Sequence, residues 1–129
     1  PDFDLEALEV RTNVLFSRSS SIRLPLRWIA ILYGQIKAQL AATTGVHTAL
    51  DALKLLMAGA DVTMLCSALY ERGFLQISII ERAMREWMEK HEYESVAQMR
   101  GSLSQQHCPD PAAYERALYV QAVHSFKGR

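Results

Sequence analysis

The sequence predicts a helix-rich α/β architecture organised around two short parallel strands, and three features of its central stretch point there. Residues 39–44 and 61–66 contain runs of small and apolar residues that are too short for helices and suited to strands covered on both faces. Between them Leu50, Leu53, Leu56 and Met57 recur at helical spacing. Each run ends in a small polar turn, Thr44–Gly45 after the first and Cys66–Ser67 after the second. The order strand, turn, helix, strand, turn is that of a single βαβ unit.

The other elements follow from local signals. At the N-terminus Asp2 and Asp4 lead into Leu5, Leu8 and Val10, and Arg11–Thr12–Asn13 offers a turn before Val14–Leu15–Phe16. That pattern predicts two short strands, a hairpin outside the main sheet. Ser17 to Ser21 is a polar linker able to cap a helix. Residues 22–37 predict the first helix, with Pro25 tolerated in its opening turn and Trp28, Ile29, Leu32 and Ile36 as its stripe. No basic face accompanies that stripe, which argues against a helix lying on lipid. Thr48 caps the central helix, Asp51 three residues on completes a capping box, and Gly59 ends it in a left-handed conformation. Ser67 offers a second cap, and Tyr70 to Gly73 reads as a turn. Residues 74–91 predict the longest helix, with Ile77, Ile80, Met84, Trp87 and Met88 on one face. Glu94 to Leu103 is a shorter helical stretch stopped near Gly101. Cys108 to Pro111 is a loop, from which Asp110 and Pro111 start a last helix reaching about Phe126.

Bulk composition narrows the function classes. Half of the residues are hydrophobic, 22% are charged and the formal net charge is zero, which excludes a disordered chain. The balanced charge supplies no attraction for nucleic acid or an anionic membrane, so neither is expected as a partner. No apolar run approaches the roughly 20 residues of a membrane span, and no signal peptide is apparent. Cys66 and Cys108 show no CxxC or metal spacing, which fits a reducing compartment, so a cytoplasmic location is expected.

Chemistry is expected where the two polar turns meet. Adjacent parallel strands that both run into helix N-termini converge backbone N–H groups on one point, a ready anion site. Gly45 and Ser67 are its strongest candidates, because small residues let a phosphate approach closely. Thr44 and Ala68 belong to the same turns. His47 stands where it could touch a phosphate, but a solvated loop histidine is the expectation. Cys66 could be a nucleophile, but with no base nearby in sequence it is expected to be an inert buried thiol. His91, His107 and His124 are dispersed, so no metal site is expected. Glu81, Arg82, Arg85, Glu86, Glu89 and Lys90 form a solvated helix face, and Arg100 is a structural ion-pair partner.

The runs TTGVHTALDALKLLMAGADVTMLCSAL and HEYESVAQMRGSLS resemble the C-terminal part of the dihydroorotate dehydrogenase family, over about residues 21–104. The resemblance implies a (β/α)8 barrel with residues 39–44 and 61–66 as two of its strands, and a β insertion at residues 1–20. It implies flavin mononucleotide (FMN) as cofactor, its phosphate held by Thr44, Gly45, Cys66, Ser67 and Ala68. Thr44 stands where the family has the first glycine of a pair, and Cys66 where it has glycine before threonine, so both side chains crowd the phosphate approach. In that family dihydroorotate is oxidised to orotate; the base, the pyrimidine-holding asparagines and a lysine near the flavin lie on earlier strands and loops. No catalytic residue is therefore assigned here, and the chain alone is expected to be inactive. A barrel takes about 250 residues, so 129 residues beginning with Pro1 are expected to be a C-terminal fragment. They form one incomplete domain, with barrel helices and the last two strands in residues 21–91 and a helical extension in residues 92–129. The expected partners are a small dihydroorotate-like substrate and either the remainder of the barrel or a second copy of the chain. Two other readings stay open. One is a phosphate-binding barrel without flavin, and the other a non-catalytic barrel relative.

Overall fold

The computed structural model describes residues 2–12, 15–111 and 114. It is helix-rich α/β, with one two-stranded antiparallel sheet and one two-stranded parallel sheet among the described residues. Strand β1 (Asp2–Asp4) pairs antiparallel with β2 (Glu9–Arg11). The hairpin exists, but its turn lies earlier than the sequence suggests, over residues 5–8 and not at Arg11–Asn13. The cause is Asp4, whose carboxylate accepts the N–H groups of Glu6 and Ala7 and pairs with Arg11 across the strands. Leu15 and Phe16 are not in a strand, and Val14 lies outside the described residues.

Serines 19–21 open a 3-10 turn, Ser19–Ile22, that leads into α1 (Arg23–Leu32). This helix is shorter than the expected 22–37. Tyr33 leaves helical geometry and Gly34 adopts a φ of 78°, so Ile36 falls out of phase and is exposed. The buried face is Ile29, Ala30 and Ile31, while Trp28 is half-exposed.

The parallel pair is β3 (Ala41–Ala42) and β4 (Val62–Thr63), in the register Ala41–Val62 and Ala42–Thr63. Both strands are shorter than expected, because Thr44 turns with a φ of 78° and Met64 is the last residue whose N–H reaches across, to the Ala42 carbonyl. They are also covered on one face only. Ala42 is buried, but Val62 and Met64 are 50% and 54% exposed.

Helix α2 (Ala49–Ala58) runs from β3 back to β4 and forms the centre of the core. Thr48 and Asp51 make the expected capping box, and Gly59 ends the helix at a φ of 124°. Leu55 is fully buried among Ile29 and Ala30 of α1, Ala42 of β3 and Ile80 of α4 (Leu75–Lys90). Leu53 and Leu56 face Met99 with Met84, Trp87, Met88 and Tyr93. Leu50, counted in the expected stripe, is half-exposed, as is Ile77 on α4.

Residues 70–72, expected as a turn, belong to α3 (Ser67–Arg72), and the break comes at Gly73 with a φ of 78°. Arg85 pairs with Glu81 one turn away on the exposed face of α4. The stretch after α4 narrows to α5 (Val96–Met99), capped by Ser95 and turned by Gly101. Arg100 pairs with Asp61 as expected, and Asp61 also accepts the Leu40 N–H at 2.7 Å, tying the starts of both strands to α5. Tyr33 is wedged between two glycines. A Cβ at Gly59 would stand 2.4 Å from its ring, and one at Gly101 2.3 Å. Of the expected last helix, Pro111 and Tyr114 are helical and its remainder lies outside the described residues.

Candidate functional site

The parallel register puts the ends of β3 and β4 side by side, so the two polar turns flank one cleft of about 440 Å³. Thr44, Gly45, Cys66 and Ser67 all line it. Ala68 does not: it is fully buried in the first turn of α3. Thr43 and Val46 from the first turn, Met64 from the second, and Leu15, Phe16, Ser17 and Ser21 complete the lining. The sequence carried no local sign that residues 15–17 belong here, since only the folded chain brings them across from the far side of α1.

Thr44 and Gly45 adopt φ values of 78° and 82° in succession. For a β-branched residue such as Thr44 this is a strained conformation. Packing alone already requires glycine at position 45. A Cβ there would stand 2.5 Å from the Ile22 nitrogen and 3.0 Å from the Arg18 carbonyl, so the 3-10 turn crosses directly over it. Its N–H donates to Ser17 Oγ at 3.2 Å. Ser17 also donates from its own N–H and its hydroxyl to Ser67 Oγ, both at 3.0 Å. Ser67 is therefore not the cap of α3 but the far anchor of Ser17. Phe16 stacks on Tyr70 of α3 at 5.7 Å between ring centres, holding the same segment over the cleft.

The start of α2 does not open onto an anion. Asp51 already occupies it, accepting from the N–H groups of His47 and Thr48 at 3.2 and 3.0 Å, from the Thr48 hydroxyl at 2.9 Å and from the Ser19 hydroxyl at 3.1 Å. The cleft is thus framed by the Gly45 amide and the serine hydroxyls, and two converging helix ends do not describe it. His47 is not a solvated loop residue. It is buried, its carbonyl accepts from Gln76 Nε2 at 3.1 Å, and its Nδ1 lies 3.7 Å from the Glu71 carboxylate. Cys66, expected to be buried, is exposed in the cleft wall, because β4 ends before it and the chain turns outward there. Among the described residues no group of three or more His, Cys, Asp and Glu could hold a metal ion, and no helix is long and apolar enough to cross a membrane.

The backbone of Thr44 offers a direct test of strain at this site. Replacing Thr44 with glycine should stabilise the protein by about 1 kcal/mol, the left-handed penalty relieved less the added freedom of the unfolded chain. A higher urea midpoint with unchanged slope is the expected result. A lower midpoint would mean that the threonine side chain contributes more than its backbone costs.

No family model matches this chain. It is similar to the dihydroorotate dehydrogenase (fumarate) of Lachancea kluyveri, with 33% identity over 66 residues, which make up 51% of this chain and 21% of that protein. The matched segment thus spans about a fifth of the length of that relative. The chain contains a region related to a dihydroorotate dehydrogenase.

Proposed function

We propose that this chain is the C-terminal part of a dihydroorotate dehydrogenase-like, FMN-dependent oxidoreductase, and that it contributes the corner that receives the flavin phosphate. The observation that carries this reading is the single cleft at the carboxyl ends of two parallel strands, lined by Thr44, Gly45, Cys66 and Ser67. Small molecules bind at that end of the strands in barrel folds, and the similarity to a dihydroorotate dehydrogenase supports a flavin as the molecule. Ala68, buried in the first turn of α3, contributes no surface to the cleft. The substrate is a small dihydroorotate-like molecule, the setting is cytoplasmic pyrimidine biosynthesis or a related oxidation, and the catalytic base is supplied from outside these residues. The half-exposed Val62 and Met64 on a two-stranded sheet support a further covering partner, the remainder of the barrel or a second copy.

FMN would supply the hydride-accepting chemistry. The residues described here would bind and orient its phosphate. The Thr44 side chain and the exposed Cys66, which crowd the phosphate approach, are the features that favour a non-catalytic barrel relative without the cofactor. The complete protein separates the readings: the flavin reading expects a yellow flavin absorbance band in the purified protein. Cys66→Asp tests the corner itself. Aspartate suits the residue preceding a helix, so the fold is expected to persist, while its charge opposes a phosphate in the cleft. Flavin affinity is expected to fall at least about tenfold, or roughly 1.4 kcal/mol. Undiminished flavin content in that variant would place the phosphate elsewhere.

A further inference from the structure

We infer that the groove between α4 and α5 receives the exposed face of α1 from a second copy of this chain. The groove holds about 460 Å³ and shares no residue with the strand-end cleft. One wall is α4, with Met84, Met88 and Glu89, and the other is the start of α5, with Val96 and the preceding Glu94. Tyr93 joins the walls. The chain reverses after α4 with Glu92 at a φ of 60°, and the Tyr93 N–H reaches back to the Met88 carbonyl at 2.9 Å. Met84, Met88 and Tyr93 also pack on Leu53, Leu56 and Met99, so the core supports the floor while the thioethers adapt to an incoming apolar side chain. The Tyr93 ring is held by stacking on Trp87 at 5.9 Å between ring centres.

Charge selects the occupant. Three carboxylates, Glu81, Glu89 and Glu94, line the groove against one guanidinium, Arg85, which leaves two negative charges in excess. Arg85 is bound twice to Glu81, at 3.2 and 2.7 Å, while Glu89 and Glu94 make no ion pair among the described residues. The occupant must therefore be convex, apolar and cationic. The exposed face of α1 is all three. Leu24 and Trp28 stand one turn apart on it, beside Arg23 and Arg27, also one turn apart and exposed. Neither arginine makes an ion pair among the described residues. Trp28 supplies the large anchor that centres many protein interfaces, and the arginines face the Glu89 and Glu94 rim. A chain does not fill its own groove, because Ile29 and Ala30 fix α1 on α2 with Trp28 turned outward. The contact is thus heterologous, the α1 of one copy in the groove of the next.

The test is sedimentation velocity of the full chain from about 1 μM to about 1 mM, the range in which a small interface assembles. The wild-type protein is expected to associate reversibly as concentration rises. The double variant Glu89→Arg, Glu94→Arg reverses the groove, and Arg23→Glu, Arg27→Glu reverses the α1 face. All four positions are exposed, so the fold is expected to persist. Each double variant alone is expected to associate at least about tenfold more weakly. An equal mixture of the two is expected to recover association, because the intact α1 of the first meets the intact groove of the second. A wild-type chain that stays monomeric throughout would overturn the inference. Association unchanged in either double variant would overturn it as well, and would assign self-contact to another surface, such as the open sheet at Val62 and Met64. A mixture no more associated than its separate components would overturn the pairing of α1 with the groove.

Discussion

Gly45→Ala is expected to be among the most damaging single substitutions in this chain, destabilising it by about 3 kcal/mol even with no ligand present. Two separate costs combine. The backbone φ of 82° is unfavourable by about 1–2 kcal/mol for any residue with a Cβ. The added carbon would also stand 2.5 Å from the Ile22 nitrogen, and backbone cannot rotate out of the way as a side chain can. Overpacking of that kind costs about 1–3 kcal/mol in a packed interior. Urea denaturation of the full chain should show a large fall in midpoint. A loss below about 1 kcal/mol would mean that the 3-10 turn over Gly45 is loosely held, and would weaken the case that this turn shapes the cleft. Substitution at Gly45 is for the same reason a poor probe of phosphate binding, because folding and binding fail together. Cys66 is the better probe.

Asp51→Ala is expected to cost a similar amount, about 3 kcal/mol. The carboxylate caps α2, a contribution of about 1 kcal/mol. It is also buried with four donors on one oxygen, and its removal leaves the buried His47 N–H without a partner. An unpaired buried donor costs about 1–3 kcal/mol. Asp51→Asn keeps an accepting oxygen, so it should lose roughly a third as much, about 1 kcal/mol. The two variants together separate the cap from the buried network. If alanine costs no more than asparagine, the donors are satisfied by water after the change. The Ser19 hydroxyl is one of the four donors, so Asp51→Ala should also loosen the 3-10 turn. Hydrogen exchange at residues 17–22 should then quicken more than at α4, a difference that global unfolding alone would not produce.

Local chemistry was legible wherever a few neighbouring residues decide the conformation. The capping box of Thr48 and Asp51, the helix end at Gly59, the long helix of residues 74–91 and the parallel sense of the two central strands all follow from short-range pattern. The Arg100 ion pair was legible in kind, although its partner Asp61 lies 39 residues away. The candidate turns at Thr44–Gly45 and Cys66–Ser67 were found for the same reason, since a strand that ends in small polar residues marks its own terminus.

What the sequence could not determine was which atoms those turns face, because that depends on segments distant along the chain. Ser17 reaches Ser67 across 50 residues and Gly45 across 28, and nothing in a polar linker announces either contact. Gly45 looked like a phosphate-approach glycine, yet the crossing of the 3-10 turn also demands it. His47 looked solvated, yet α3 and α4 close over it through Glu71 and Gln76. Cys66 looked buried, yet β4 pairs for only two residues and leaves it in the cleft wall. The physical division is one of range. Backbone propensity and capping act over three or four residues and are written in order along the chain. Burial and the pairing of polar groups are settled only when helices and strands pack, and that packing decided which side chains line the cleft.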